Sequence, residues 1–205
     1  MTNINHVFWG EIEPKDHFLQ VYESDDVLID SLEAYVCSGI VKGDGVVIVA
    51  TEAHLISLNE RLERIFNVKK LMADKQFIPL NADIILEMIL VHDTVDEQKF
   101  MLLINDILSM VRQNKENRIR VYGELVAILW RQGNRNAVLT LEKLWDKLCK
   151  TGAISLFCAY PKDGFSQDEI NSIQEICHCH NCVIENDVYS PELNIYGEKL
   201  MLQAI

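Results

Sequence analysis

The sequence predicts an α/β fold with a mostly parallel central sheet covered by helices on both faces. Two apolar runs, residues 46–50 (VVIVA) and 154–160 (ISLFCAY), have the continuous hydrophobicity of strands buried on both sides. Strand-like and helix-like segments alternate along the chain, and this order requires crossover connections between parallel strands. The 205 residues, 49% of them hydrophobic, are expected to form one domain with its core at about 17–184.

The first part of the chain predicts two strands, each followed by a helix. Residues 17–23 alternate in polarity and are rich in aromatic and β-branched side chains, as in a strand. Ser24, Asp25 and Asp26 offer N-caps for a helix that stops near residues 42–45. The strand at 46–50 follows, and Thr51 can cap the second helix.

The middle and the end of the chain continue the same alternation. Residues 77–80 predict a short strand, followed by helices at 82–91 and 95–113. A strand at 119–124 leads into an apolar helical segment through Trp130. After the turn at Gly133 and Asn134, the pattern predicts a helix through Leu148, a strand at 154–160, a helix from Ser166 to Cys177 and an edge strand beginning at Val183.

The charge balance limits the partners that the chain can bind. Lys and Arg total 19 against 31 Asp and Glu, a formal charge of −12, which repels a phosphate backbone and predicts no direct nucleic-acid binding. Residues 1–10 have neither a basic start nor an apolar run, and no segment approaches the roughly 20 apolar residues of a membrane span. We therefore expect a cytoplasmic protein, with no membrane contact and with its six cysteines reduced.

The sequence contains none of the common catalytic motifs. It has no GxxxxGK[ST] loop, GxGxxG turn, GxSxG elbow, HExxH helix or paired CxxC motif. The turn after the first strand contains Glu23, Ser24, Asp25 and Asp26, which would repel a triphosphate. These observations predict a protein that is not an enzyme and that uses no cofactor.

Two acidic residues follow strands, where parallel sheets place their ligands. Glu52, with His54 close by in sequence, is either a general base or an acid interacting with the dipole of its helix. Glu124 is either a general base or a buried, hydrogen-bonded carboxylate. The sequence leaves both alternatives open.

Residues 177–182 (CHCHNC) have the densest set of soft metal ligands. Cys177 with His180, and Cys179 with Cys182, are spaced to share one helical face, so two ligands of a zinc or copper site are feasible. The alternatives are a helix end with Cys177 in the core, which we favour, and a redox-sensing pair of thiols. We therefore predict no metal, with Cys177, Cys179, His180 and Cys182 as the candidates for the alternative.

The order of these segments resembles the MEDS (methanogen/methylotroph, DcmR) sensory domain family over about residues 17–183. The residues that support the resemblance in the first half are residues 17–22, Asp25, Asp26, residues 46–51, His54, Gly123, Glu124, Leu129, Trp130 and Gly133. Those in the second half are Leu141, Glu142, Leu144, Trp145, residues 158–161, Phe165, Ile176, Cys177 and His180. His178 and Cys179 are additional to the family's usual Cys and His.

The resemblance implies a RecA-like fold, similar to the circadian-clock ATPases but without the phosphate loop, and a degenerate P-loop NTPase-like core. It also implies a sensor of small organic compounds, found in the family alone or joined to histidine kinases and DNA-binding regulators. Because 205 residues leave no room for a kinase or a helix-turn-helix domain, we expect a stand-alone sensor that signals to a separate histidine kinase or transcription regulator. The relatives form rings, so a homo-oligomer is a further expectation. Glu52 lies where those ATPases have their catalytic glutamate, which keeps residual nucleotide binding as an alternative.

We therefore predict a non-catalytic signalling module that binds a small molecule or a partner protein at the strand ends. The candidate ligand-binding residues are polar or aromatic groups that could converge there: His17, Tyr22, His54, Glu124, Trp130, Tyr160 and His180. His17 and Trp130 have an equally simple interpretation as core residues, as does Trp145. A degenerate ATPase-like protein and a Cys/His metal or redox sensor are the alternatives.

Overall fold

The computed structural model describes residues 9, 12–112, 118–151, 154–162, 176–185 and 188–190. The strands are β1 (His17–Tyr22), β2 (Gly45–Ala50), β3 (Phe77–Asn81), β4 (Leu90–Val91), β5 (Thr94–Val95), β6 (Ile119–Gly123), β7 (Ile154–Pro161), β8 (Cys182–Glu185) and β9 (Val188–Ser190). The helices are α1 (Asp25–Lys42), α2 (Glu52–Leu62), α3 (Val68–Ala73), α4 (Ala82–Ile89), α5 (Glu97–Arg112), α6 (Leu125–Arg131) and α7 (Arg135–Thr151).

Seven of these strands form one sheet in the order β3-β2-β6-β7-β1-β8-β9. Each neighbouring pair from β3 to β8 is parallel, and β9 alone runs antiparallel, against β8. Parallel strands joined by helical crossovers confirm the predicted α/β class, and the arrangement is RecA-like. It also brings the carboxyl ends of β1, β2, β6 and β7 to one edge of the sheet.

The two faces of the sheet belong to two apolar cores. Helices α1, α2 and α3 cover one face, and α4 to α7 cover the other. Because side chains alternate along a strand, Phe18 and Tyr22 of β1 face α1, whereas Leu19 points to the α4–α7 side. In β7, Cys158 and Tyr160 likewise lie on the α4–α7 side. Residues that are adjacent in the sequence of a strand therefore lie on opposite faces of the sheet.

The boundaries of α1 follow from its capping residues. The Ser24 side chain accepts a hydrogen bond from the Val27 amide at 3.4 Å, and Gly43 ends the helix with φ 80°, a left-handed conformation that favours glycine. Both ends agree with the sequence prediction. Within the described part of the chain, no helix is both long enough and apolar enough to cross a membrane.

The structure differs from the sequence prediction in three places. The helix predicted over 82–91 ends at Ile89, because β4 and β5 form a hairpin whose turn residues His92 and Asp93 have positive φ angles of 47° and 60°. Helix α3 was not predicted. Strand β8 is not the edge of the sheet, since β9 pairs with it. Most of the helix predicted from Ser166 to Cys177 lies outside the described residues.

Candidate functional site

A buried carboxylate lies at the carboxyl edge of the sheet, where β6 ends. Glu124 is 0% exposed, and its backbone N–H donates to the Val49 carbonyl oxygen at 2.9 Å. Its Oε2 accepts a hydrogen bond from the Thr51 amide at 2.8 Å, and its two oxygens lie 2.9 and 3.0 Å from His54 Nδ1. Thr51 precedes α2 but forms no side-chain cap. Glu124 therefore joins the start of α6 to the start of α2.

His54 connects this buried carboxylate to the surface. Its Nε2 lies 3.6 Å from Oδ1 of Asp25, whose side chain is 70% exposed. The hydrogen bond from Glu124 raises the pKa of His54 above its ordinary value of 6.5, against the opposing effect of burial, and Asp25 raises it further. Asp25, His54 and Glu124 thus form a polar path from solvent to the sheet.

The exposed end of this path lies in a groove between α1 and α2 with a volume of 560 Å³. Its lining side chains are mostly polar: Asp25, Asp26, Glu33, His54, Ser57, Glu60, Arg61 and Arg64, with Ile29, Ala53 and Ile65. Arg61 bridges the helices through contacts with Asp30 and, at 3.1 Å, with Glu33. Acidic groups outnumber the arginines in this lining, so the formal charge of the groove is negative.

Tyr22 lies at the same edge of the sheet. It is 2% exposed, and its hydroxyl accepts a hydrogen bond from Arg131 Nη2 at 2.9 Å. This bond joins the end of β1 to the end of α6, the helix that Glu124 begins. Tyr22, His54 and Glu124 are therefore three predicted residues that the fold does bring to the strand ends.

A second cluster lies between the sheet and the helices that cover it, on the α4–α7 side. It contains His17 of β1, Glu142 of α7, Cys158 of β7 and His180, and all four are buried. One potential metal-ligand atom from each lies within 4.8 Å of all the others. His17 Nε2 is 3.5 Å from Cys158 Sγ and 3.8 Å from Glu142 Oε2, and His180 Nε2 is 3.5 Å from the same oxygen.

Backbone carbonyls orient both imidazoles in this cluster. Nδ1 of His17 donates to the Cys179 carbonyl at 2.7 Å, and Nδ1 of His180 donates to the Ile176 carbonyl at 2.7 Å. In a neutral ring this leaves Nε2 as the nitrogen with the lone pair. The Tyr160 hydroxyl donates to Glu142 Oε1. Among the described residues, Glu142 Oε2 and His180 Nε2 have no hydrogen-bond partner.

Burial favours the uncharged form of all four groups in this cluster. It lowers the pKa of His180 to about 4, and together with the neighbouring His180 it lowers the pKa of His17 well below 6.5. It raises the pKa of Glu142 to about 8 and that of Cys158 well above its usual value of 9.0. Desolvation is the largest cause in each case.

The seven predicted ligand-binding residues therefore do not form one site. Tyr22, His54 and Glu124 lie at the carboxyl edge, whereas His17 and His180 belong to the buried cluster. Tyr160, one residue before the end of β7, donates to Glu142 of that cluster. Trp130 is a core residue that packs edge-to-face on Tyr160, with their ring centroids 5.9 Å apart, under the guanidinium of Arg135. The binding roles of the seven stay predictions.

The alternative set of metal ligands is rearranged in the structure. Of Cys177, Cys179 and His180, the candidates whose side chains the structure describes, only His180 contributes a side chain to the cluster. Cys177 lies in the core and half-buried Cys179 supplies its backbone carbonyl, while the side chain of Cys182 is outside the described part of the chain. Glu52 is exposed in the first turn of α2, as the helix-dipole interpretation predicts.

Sequence reasoning missed Glu142 and Cys158 as members of a site. Cys158 lies in the apolar run of β7, where a cysteine is usually a small buried hydrophobic residue. A signal for Glu142 was present, because it occupies the i+4 position of an apolar stripe that includes Val138, Leu141 and Trp145. A carboxylate on the buried stripe of a helix requires a partner in the core.

Comparison with known proteins agrees with this architecture. A protein from Pyrococcus horikoshii OT3, the subject of a structural study, is similar in fold with a TM-score of 0.55 and 13% sequence identity, over 87% of this chain and 85% of that one. A search of curated proteins found no match. The family model described as MEthanogen/methylotroph, DcmR Sensory domain matches residues 16–181, which is most of the sequence. This chain therefore belongs to the MEDS family of sensory domains.

Proposed function

We propose that this chain is a non-catalytic sensory module that binds a small organic molecule in the groove between α1 and α2. The observation that supports this function best is the position of His54 between Asp25 in the groove, at 3.6 Å, and the buried Glu124. A molecule that engages Asp25 acts on one end of a polar path. At the other end of that path, Glu124 contacts the start of α2 and begins α6.

The lining of the groove favours a ligand with a cationic group. Its acidic side chains are Asp25, Asp26, Glu33 and Glu60, and one of its two arginines, Arg61, is already paired with carboxylates. A protonated amine can replace His54 as the partner of Asp25, and the apolar part of the molecule can lie against Ile29 and Ile65.

The hydrogen bonds of Glu124 supply a route for the signal. When a ligand binds Asp25 and removes it from His54, the imidazole keeps Glu124 as its partner. The strength of the His54–Glu124 contact then changes, because Nε2 has lost its acidic neighbour. Glu124 also binds the Thr51 amide at the start of α2 and begins α6, so the change reaches both helices. A separate histidine kinase or transcription regulator would read this change in shape, in the manner of bacterial regulation.

The same groove argues against a nucleotide as the ligand. The turn after β1 presents Glu23, Asp25 and Asp26 in place of backbone amides and a lysine, and this concentration of negative charge disfavours a triphosphate. A degenerate ATPase-like protein predicts instead that ATP with Mg²⁺ binds at these strand ends.

The proposal can be tested with butylamine, using butanol and butyrate as neutral and anionic controls of the same length. Two-dimensional NMR of the ¹⁵N-labelled chain should show saturable shifts of the Thr51, His54 and Glu124 amides with the amine alone. Native mass spectrometry of the freshly purified chain, set against its denatured mass, should detect any natural ligand of higher affinity that co-purifies.

Matched variants locate the site of binding. The double substitution D25N and D26N should weaken amine binding by about 2–30-fold, since a cationic contact with each of these exposed carboxylates contributes about 0.2–1 kcal/mol. D146N, on α7 and away from the groove, should leave binding unchanged. Equal shifts with all three probes, or unchanged binding in the double variant, would contradict the proposal, and saturable shifts with ATP and Mg²⁺ would favour the ATPase alternative.

A further inference from the structure

The buried cluster is independent of the groove and has the composition of a metal centre. We propose that His17, Glu142, Cys158 and His180 together bind one divalent transition-metal ion, with zinc as the expected metal. The four side chains come from β1, α7, β7 and the residues immediately before β8. They offer two imidazole nitrogens, one carboxylate oxygen and one sulfur, a donor set that zinc accepts in tetrahedral sites.

The separations of the donor atoms fit such an ion. Ligands bonded at about 2.0–2.3 Å to a tetrahedral zinc ion lie roughly 3.3–3.8 Å from one another. The distances here are 3.5 Å from His17 Nε2 to Cys158 Sγ, 3.8 Å from His17 Nε2 to Glu142 Oε2 and 3.5 Å from His180 Nε2 to Glu142 Oε2. The other three pairs of donor atoms lie within 4.8 Å of each other, so the side chains must close in further to hold one ion.

The hydrogen bonds around the cluster are those that support metal ligands. A ligating histidine usually donates its other ring N–H to a carbonyl or carboxylate, which fixes the ring orientation. His17 and His180 both do so, to the carbonyls of Cys179 and Ile176 at 2.7 Å. Tyr160 donates to Oε1 of Glu142 and thereby leaves Oε2 to face the two Nε2 atoms.

The unpartnered atoms of the cluster provide a second observation. Buried polar atoms in folded proteins nearly always have a partner, because leaving one unpaired costs about 1–3 kcal/mol. Glu142 Oε2 and His180 Nε2 have no hydrogen-bond partner in the described part of the chain, although both side chains are 0% exposed. The two atoms lie 3.5 Å apart, and a cation bound between them would satisfy both.

A metal at this position would link distant parts of the sequence. His17 starts β1, and its backbone N–H already donates to Oδ1 of Asn181 at 2.6 Å. Coordination by His180 would add a much stronger connection between the start of the sheet and the segment that leads into β8. Four protein ligands close the coordination sphere, as in structural zinc sites.

Cobalt substitution tests the proposal directly. Because the ligands are buried, the full chain is unfolded with a chelator and refolded with Co²⁺. It should bind one Co²⁺ per chain, with the visible bands of a tetrahedral ion and a near-ultraviolet thiolate charge-transfer band, and Zn²⁺ should remove both. Hydrogen exchange of residues 176–185 should slow when zinc is bound.

Buried cysteines of the same α4–α7 core provide matched controls. C158A should lose the charge-transfer band, whereas C149A and C177A should retain it, and H180A should lose tetrahedral binding. Y160F should fold and bind the ion about 10–100-fold more weakly, as for other partners of metal ligands. No Co²⁺ binding by the wild-type chain, or a charge-transfer band that persists in C158A, would overturn the assignment. Loss of the band only in C179A would also overturn it, in favour of Cys179 as the thiolate ligand.

Discussion

The molecule contains two histidine–carboxylate sites on opposite faces of one sheet, and they differ in the charge that they hold. At the carboxyl edge, hydrogen bonding to Glu124 raises the pKa of His54. In the buried cluster, burial lowers the pKa of His180 to about 4 and raises that of Glu142 to about 8. Both sites pair histidine with glutamate, so the opposite pKa shifts of His54 and His180 come from the surroundings of the two rings.

The hydrogen-bond partner of Nδ1 explains much of this difference. In His54, Nδ1 faces a carboxylate at 2.9 Å and Nε2 faces a second one, at the exposed Asp25, so the protonated ring is stabilised. In His17 and His180, Nδ1 donates to neutral carbonyl groups. The first arrangement suits a solvent-linked sensor, and the second suits neutral imidazoles that bind a metal through Nε2.

The largest effects are expected on replacing Glu124 and Glu142, because only the stability effect of E142A should depend on zinc. E124A leaves His54 and the Thr51 amide without their partner, and we expect it to lower the free energy of unfolding by about 3–5 kcal/mol, with or without zinc. E142A should remove the stabilisation by zinc, which is about 4 kcal/mol when free zinc is near 1,000 times its Kd. Urea denaturation of both variants, with zinc and with a chelator, measures these effects.

E124Q provides the control for this comparison. It retains the shape of the side chain and loses a charge-assisted hydrogen bond, so we expect a smaller cost of about 1.5–3 kcal/mol. The two sites would not be distinct if the loss of unfolding free energy in E124A changed with zinc. The same conclusion would follow if the loss in E142A were the same with and without zinc.

The pH dependence of stability should show the contribution of His54. Because its folded-state pKa is raised above the ordinary 6.5, the protonated ring contributes stability that is fully present below pH 6.5 and is lost as the pH rises through the folded-state value. H54Q should remove this contribution, so the difference in unfolding free energy between wild type and H54Q should fall with rising pH. Urea denaturation across this range checks the sign, and a difference that grows with pH would contradict the ion pair with Glu124.

The smallest effect is expected at Asp25. Its side chain is 70% exposed and lies 3.6 Å from His54 Nε2, so solvent screens the contact. D25N should therefore change stability by only about 0.2–1 kcal/mol, while ligand binding in the groove weakens. NMR titration of the His54 ring in this variant should show a lower pKa than in wild type. An unchanged pKa would mean that Asp25 does not act on His54.

The order of elements could be predicted because periodicity is a local property. The apolar runs of β2 and β7, the Ser24 cap and the glycine at the end of α1 each determine structure within a few residues. The hairpin of β4 and β5 was not predictable in the same way, because its turn residues His92 and Asp93 adopt positive φ angles that neither residue type specifies. Its apolar residues continued the helical pattern.

The sequence by itself determined the α/β class, most strand positions and the absence of a phosphate loop, and it singled out His17, His54, Glu124 and His180 as candidates whose binding roles stay predictions. Only the tertiary structure decided which of them act together. Adjacent strand residues face opposite sides of the sheet, and Glu142 and His180 lie far from His17 in sequence but share one cluster with it. Spacing in the chain predicts neighbours along one element, whereas a parallel sheet brings together residues from elements that are distant in sequence.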